Sequence, residues 1–496
     1  MAYKLPVDCL NEIFEYLEMD KFTLHSCLLV NRLWCEVSVR ILWRNILDFK
    51  FGNNDNKRSI KIKTSILSTL IACLPNESKK LLHDNNIFIS TPTSKPLLFK
   101  YASFCKSLSI YWFNRIIIGA LGSRKSFNSN SKYRNSLVAS EIIKMLANRI
   151  SSLKHLTYHN RDFYNHKVNI SFPHFPGARN LSELYCDSDL PSDFFYQLSQ
   201  ICHNLQSISI DFQKIITNEL KELISSQNNL KELILTAYDG SWTDIIPTIT
   251  KYSNTITILS LYNFTDTPFS FVSSFSNLQE LVISFLNGKL EDLKKLQYVK
   301  FPKLQILKIP YYHDCIKPEY IVNFIEINGK NLKKLYIGEC INALNLSIAK
   351  FCPNLKSLFI IFKNGEPDVL KTILISCQYL ESIKTLCGKY HSSEKEVLET
   401  VAKYSPNNFC ELKIQRTTNS NVFPNDLESF FISWERRTPK KLLSFIIIDY
   451  KEYGNCCEEE VIKKYVDLGT IKFVSNKSVE EEREEEEEYY RHSLLC

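Results

Sequence analysis

Glycine is scarce, with 12 residues in a chain of 496, which argues against glycine-rich phosphate loops and turn-dense β-sandwiches. No run approaches the roughly 18 apolar residues of a membrane span. The N-terminus, MAYKLPVDCLNEIF, has neither the basic segment nor the uninterrupted apolar core of a signal peptide. No C-x-x-C pair occurs from which a structural zinc site is built. These absences point to a reducing compartment, cytoplasm or nucleus or both, in which the 16 cysteines are free and mostly buried thiols.

What is present is the composition of a globular protein, 44% hydrophobic and 12% aromatic. A single core stops growing at roughly 250–300 residues, so the chain contains several domains or an elongated, repetitive architecture. The net charge is +7, but residues 480–488, EEEREEEEE, hold eight Glu and one Arg, which is −7 and leaves +14 for the rest. Those basic residues are scattered and not interleaved with aromatics, so nucleic acid is not an expected partner. The acidic end, followed by Tyr489 and Tyr490, is expected to be solvated and disordered.

Residues 1–48 read as one small helical unit. In LPVDCLNEIFEYL, Leu10, Ile13, Phe14 and Leu17 recur at helical spacing, and Val30, Trp34, Val37 and Ile41 do so downstream. A three-helix module of this size is hard to stabilise alone and needs a neighbour. Residues 49–150 form a linking, partly helical region. Within it 60–74 reads as a helix ended near Pro75, 104–113 (FCKSLSIYWF) as a strand, and 122–136 (GSRKSFNSNSKYRNS) as a mobile loop.

A repeat governs residues 151–450. The pattern L-x-x-L-x-I, or a close variant, begins at Leu153, Leu181, Leu205, Leu230, Ile256, Leu278, Leu304, Leu332, Leu355, Leu380, Phe409 and Leu442. The steps run from 22 to 33 residues, mostly within the range of leucine-rich repeats, roughly 20–29. Each pattern reads as a short strand with Leu and Ile facing inward, and segments such as 194–204 and 218–229 carry helical spacing. One such unit cannot bury its own apolar face, so the units stack into a solenoid with parallel inner strands and outer helices. The fold class is therefore α/β. Cys105, Cys202, Cys352 and Cys377 lie three residues before the first Leu of a strand, where Ala178, Phe275 and Phe301 stand in other repeats; that column is an apolar packing position. Residues 451–496 form a C-terminal segment that ends in the acidic tail.

Chemical motifs are few. GALGSRKS, 119–126, imitates a P-loop, but Arg124 replaces its second glycine. His155 and His159 straddle a strand, where a spacing of four does not converge on a metal. Cys456 and Cys457 have no third and fourth ligand nearby. Cys496, being last, is not a prenylation box. No catalytic residue, metal ligand or cofactor site is assigned, and the chain is not expected to be an enzyme.

The first 48 residues resemble the F-box. Leu5-Pro6, the Ile13-Phe14 pair, LLVNRLW (28–34), Val37 and ILW (41–43) occur in that family's order, and the later repeats resemble the leucine-rich repeats often joined to it. The repeat consensus places Asn or Cys after the strand, and only LKKLYIGEC, ending at Cys340, follows it well. The resemblance implies a substrate-recognition subunit of an SCF-type cullin–RING ubiquitin ligase, or alternatively a non-degradative interaction scaffold. It implies docking on a Skp-family adaptor through Leu5, Pro6, Leu10, Ile13, Leu28, Val30 and Trp34, as contacts or as residues shaping the interface. It also implies a protein substrate held by the repeats. On the strands, residues between the inward Leu and Ile project from the concave face, and Tyr185, Asp187, Ser209, Asp211, Tyr262, Lys308, Tyr336 and Phe359 are its candidate contacts. That face is acidic in its N-terminal half and turns basic at Lys308 and Lys334, which suits a partner of mixed charge.

Overall fold

Three short helices open the chain: α1 (Val7–Glu15), α2 (Lys21–Cys27) and α3 (Arg32–Arg44). They belong to a computed structural model that describes residues 5–48, 57–91, 97–122, 129–159, 172, 174–213, 215–237, 240–263, 268–285, 293–310, 317–338, 342–363, 367–388, 391–416, 423–439, 441–449 and 456–475. The acidic tail lies outside the described residues. Each helix start has a local cause. Pro6, with its fixed φ, precedes α1. The Asp20 carboxylate accepts the Thr23 N–H at 2.9 Å, and the Asn31 side chain accepts the Trp34 N–H at 3.0 Å, so an orphan donor at each helix start is satisfied. Leu10, Phe14, Leu24, Cys27, Val37 and Ile41 close a small core, flanked by Leu17, Leu33, Trp34 and Leu42. Arg44 forks onto Glu15 with two contacts of 2.7 Å, joining the end of α3 to the end of α1.

The chain forms two compact units, Met1–Leu230 and Lys231–Cys496. In the first, these three helices are followed by α4 (Lys57–Cys73), α5 (Asn76–Asp84), α6 (Tyr101–Phe104), β1 (Ser107–Ser109), α7 (Ile110–Leu121) and α8 (Ser129–Arg149). Two expectations are corrected here. The strand expected over 104–113 is only three residues long, because the Ser109 hydroxyl accepts the Trp112 N–H at 3.3 Å and starts α7. The loop expected over 122–136 is helical from Ser129 onward. Its Ser and Asn have modest helix propensity, but Val138, Ala139, Ile142, Ile143 and Leu146 are fully buried, and that burial outweighs propensity. Gly119 lies inside α7, and Gly122, at φ 66°, terminates it. The P-loop resemblance therefore sits at a helix C-terminus, the wrong end for an anion; its Lys125 and Ser126 lie outside the described residues.

The chain after α3 joins the helical module to the first strand. Leu47 forms a parallel bridge with Leu108. The Lys106 N–H donates to Arg44 O at 2.8 Å and the Ser109 N–H to Leu47 O at 3.3 Å. The Ser107 hydroxyl donates to Asp48 Oδ2 at 2.6 Å.

The repeats follow. The first unit continues with β2 (His155–Tyr158), β3 (Glu183–Asp187), α9 (Ser192–Ile201), β4 (Ser207–Phe212) and α10 (Asn218–Ser225). The strands of the second unit are β5 (Glu232–Ala237), β6 (Ile258–Asn263), β7 (Glu280–Phe285), β8 (Ile306–Ile309), β9 (Lys334–Ile337), β10 (Ser357–Ile360), β11 (Ser382–Cys387), β12 (Glu411–Arg416), β13 (Leu443–Asp449) and β14 (Ile471–Ser475). Its helices are α11 (Ile246–Ile249), α12 (Leu293–Leu296), α13 (Pro318–Asn328), α14 (Asn342–Phe351), α15 (Pro367–Ser376), α16 (Glu394–Tyr404), α17 (Pro424–Glu435) and α18 (Cys456–Asp467). Within each unit neighbouring strands pair in parallel and in chain order. The register follows the repeat: Leu108, Leu156, Leu184 and Ile208 are aligned in one unit. In the other, the aligned row begins Leu233, Leu259, Leu281, Leu307, Leu335, Leu358 and Ile383. This is the leucine-rich-repeat fold, with all twelve strands read from the pattern present as β2–β13.

The column three residues before each first Leu is buried as expected, at Ala178, Cys202, Phe275, Phe301, Cys352 and Cys377. Cys105, also buried, belongs instead to the first-Leu column, because Leu108 is the register partner of Leu156, three residues after Leu153. Burial pushes the Cys105, Cys202 and Cys377 thiols up to about 12, so they are inert packing groups. Every cysteine whose side chain is described is a free thiol. Gly338 has a steric reason: a Cβ there would stand 1.6 Å from the Pro310 carbonyl oxygen. Near the end of the chain, Arg416 is buried between Glu394 and Glu458, with contacts of 2.8 to 3.0 Å. No described helix is long and apolar enough to cross a membrane.

Candidate functional site

The N-terminal module separates its apolar residues into two sets. Leu10 (4% exposed) is in the core, because it falls on the stripe of α1 that faces α3. Trp34 is half-buried and packs edge-on against Phe14 at 5.1 Å. Leu28 is also half-buried. Leu5, Pro6, Ile13 and Val30 face solvent, and Ile13 is 48% exposed. The docking set inferred from resemblance thus divides into Leu10 as a core residue, Trp34 and Leu28 as partly buried residues, and four outward ones. The structure adds five outward residues that the motif did not single out: Val7, Tyr16, Met19, Phe22 and Leu29, with Phe22 at 84% and Leu29 at 89% exposure. Nothing in the helical period required these to be apolar. Large apolar side chains left outside a closed core make this module a candidate surface for another protein.

The second candidate surface is the strand face opposite the helices, taken separately in each unit. In the first unit Tyr185, Asp187 and Asp211 come together with His159, a residue that sequence reasoning had set aside. His159 Nδ1 lies 3.0 Å from Asp187 Oδ1 and 3.9 Å from Asp211 Oδ2. The Tyr185 hydroxyl donates to Asp211 Oδ2 at 3.2 Å, and the His159 ring stands edge-on to the Tyr185 ring with centroids 3.7 Å apart. Asp187 and Asp211 are therefore not open surface positions as expected. Their side chains are 1% and 5% exposed, and their contacts are to the neighbouring strands. The available signal was the repeat itself, since His159, Asp187 and Asp211 each lie six residues after the first Leu of a repeat. Ser209, half-buried, is the register partner of Tyr185. His155 does not join His159; it pairs with Glu183 at 2.8 Å.

In the second unit Lys308, Tyr336, Phe359, Lys384 and Lys413 follow one another along a single row of register partners. Lys308 is ion-paired to Glu280 at 2.8 Å. Tyr336 and Phe359 are stacked, with centroids 4.1 Å apart and planes 23° apart. The Lys384 ammonium stands 5.4 Å from the Phe359 ring centroid, a cation–π distance. Phe359 is buried by these neighbours rather than open. Tyr262, half-buried, lies in a different row, opposite Thr236 and Ser284.

Comparison with known proteins bears on the N-terminal module first. The family model described as F-box-like matches residues 2–48. The N-terminal module is F-box-like. No curated protein matches the chain. Solved structures similar to it include the leucine-rich repeat-containing protein LegL7 from Legionella pneumophila, at 12% identity over 53% of this chain and 91% of that one, with a TM-score of 0.33. A leucine-rich-repeat protein of Leptospira interrogans is 14% identical over 75% of this chain and 96% of its own, with a TM-score of 0.30. The repeat fold of this chain rests on the register of its own strands.

Proposed function

We propose that the chain is the substrate-recognition subunit of an SCF-type cullin–RING ubiquitin ligase. Its F-box-like module docks a Skp-family adaptor, and the strand faces of the repeats hold a protein substrate. The observation that carries the reading is the division of the module's apolar residues. Its core is closed by Leu10, Phe14, Leu24, Cys27, Val37 and Ile41, while Leu5, Val7, Ile13, Phe22, Leu29 and Val30 remain exposed. The chain itself supplies no chemistry in this role. It raises the effective concentration of substrate beside the ubiquitin donor. Attachment of the module to β1 through Leu47 and Leu108 holds the docking surface against the first repeat strands.

Co-purification with a purified Skp-family adaptor tests the reading. Wild type forms a stoichiometric complex, and Leu5→Ala/Pro6→Ala weakens it at least roughly tenfold, the size of about 1.4 kcal/mol lost at an interface. Failure of the wild type to bind removes the reading. Adaptor binding without accumulation of any protein when the chain is deleted transfers it to a non-degradative scaffold.

A further inference from the structure

The geometry points to a binding site for one divalent transition-metal cation, Zn²⁺ or Mn²⁺, held by His159, Asp187 and Asp211 at the ends of β2, β3 and β4. We infer this from convergence. One ligand atom of each residue lies within 4.8 Å of the other two. Two ligands held at about 2.1 Å by a tetrahedral ion are roughly 3.4 Å apart, and the distances of 3.0 and 3.9 Å from His159 Nδ1 to the two carboxylates bracket that value. An imidazole nitrogen with two carboxylate oxygens is a donor set for borderline to hard divalent ions. An ion taking one atom from each leaves the group electrically neutral.

The surroundings fix all three ligands. The Ser188 N–H donates to Asp211 O at 3.0 Å, which ties the chain just after Asp187 to the strand that carries Asp211. The Ser188 hydroxyl donates to Ile215 O at 2.9 Å and accepts the Gln213 N–H at 2.9 Å. Tyr185 steadies Asp211 through its hydroxyl and His159 through its ring. His159 Nε2 is buried without a hydrogen-bond partner; among the described residues the imidazole is oriented through Nδ1 and the Tyr185 contact. An ion bound at Nδ1 displaces any proton there and leaves the ring protonated at Nε2; net proton release occurs only from a doubly protonated ring.

The inference does not depend on the ligase reading, because the probe is the metal alone. The full chain, stripped with a chelator, is titrated with Mn²⁺ and the free ion followed by electron paramagnetic resonance. Mn²⁺ is preferred because the 16 cysteines compete for Zn²⁺ and scarcely for Mn²⁺. One equivalent binds to wild type, Asp187→Asn and Asp211→Asn abolish it, and His159→Gln weakens it tenfold or more. Tyr185→Phe, a positioning change, weakens it less while the stoichiometry stays at one. Saturating Mn²⁺ raises the thermal midpoint of wild type and leaves that of the two Asn variants unmoved. A control free of mutation is iron-catalysed backbone cleavage of the wild-type chain, mapped by mass spectrometry, which should cut beside residues 159, 187 and 211. No saturable binding up to millimolar Mn²⁺ and Zn²⁺, unchanged stoichiometry in both Asn variants, or cleavage elsewhere overturns the site.

Discussion

At the scale of single residues, the two histidines that open and follow β2 serve different ends in different repeat columns, His159 beside Asp187 and Asp211 and His155 beside Glu183. His155 and Glu183 are register partners on β2 and β3 and form a contact of 2.8 Å, two residues earlier in the repeat than Tyr185. Glu183 accepts a hydrogen bond from the imidazole and raises the His155 pKa above its ordinary 6.5, against the opposing effect of burial. The folded state therefore binds this proton more tightly than the unfolded chain. The stabilisation is complete below about pH 6.5 and is lost as pH rises through the elevated folded value. Both groups are well exposed, so the effect is small. Urea midpoints measured from pH 6 to 9 should fall with rising pH in wild type and fall less in His155→Gln. A slope equal in both would assign the pH dependence elsewhere.

At the scale of elements, the sequence displayed the strands better than the joints between them. The alternating Leu and Ile of each pattern reappear as the aligned core rows, because period-two burial leaves one register for every strand. Helix α8 was hidden by its Ser- and Asn-rich start, and β14 by the short run Ile471–Ser475, which lies 28 residues beyond its register partner in β13. Gln227 was hidden by being polar. It occupies the same column as Cys202, three residues before a first Leu, yet is buried. Its Oε1 accepts the Leu205 N–H at 3.0 Å, and its Nε2 donates to Cys202 O at 2.8 Å and Leu223 O at 2.7 Å. Cys377 performs part of the same task, its Sγ donating to Cys352 O at 3.3 Å. In the second unit Asn328, adjacent to the column, accepts the Phe301 N–H at 2.7 Å and donates to Val299 O at 2.9 Å. Where it is polar, the column thus binds a repeat to the carbonyl groups of the one before. Gln227→Ala leaves a buried N–H without its acceptor and should lower unfolding free energy by about 2–3 kcal/mol. Gln227→Cys, the residue the array uses elsewhere, should cost less. Equal losses for Ala and Cys in urea unfolding would reduce the column to packing alone.

At the scale of the whole molecule, the feature least legible in the sequence is how the F-box-like module meets the repeats. The intervening region read as a linker, but the contact that matters bypasses most of it. Leu47, fully buried, follows α3 closely and pairs with Leu108 of β1, so residues 61 apart in sequence form the first rung. A tether along 49–106 would leave the docking surface free to swing, whereas a strand bridge with two main-chain hydrogen bonds restrains it. In the proposed ligase role, that restraint would set how widely a held substrate samples the ubiquitin donor. Leu47→Ala removes the buried side chain at this joint, a change of the kind that costs about 2–5 kcal/mol. Hydrogen exchange locates the loss. The Lys106 and Ser109 amides, which donate to Arg44 and Leu47, should exchange roughly tenfold faster or more, while amides in α1 and α3 keep their protection and adaptor binding is unchanged. Equal loss of protection at Leu10 and Phe14 would instead mean that the module folds only on β1, making the joint a condition of docking rather than a restraint upon it.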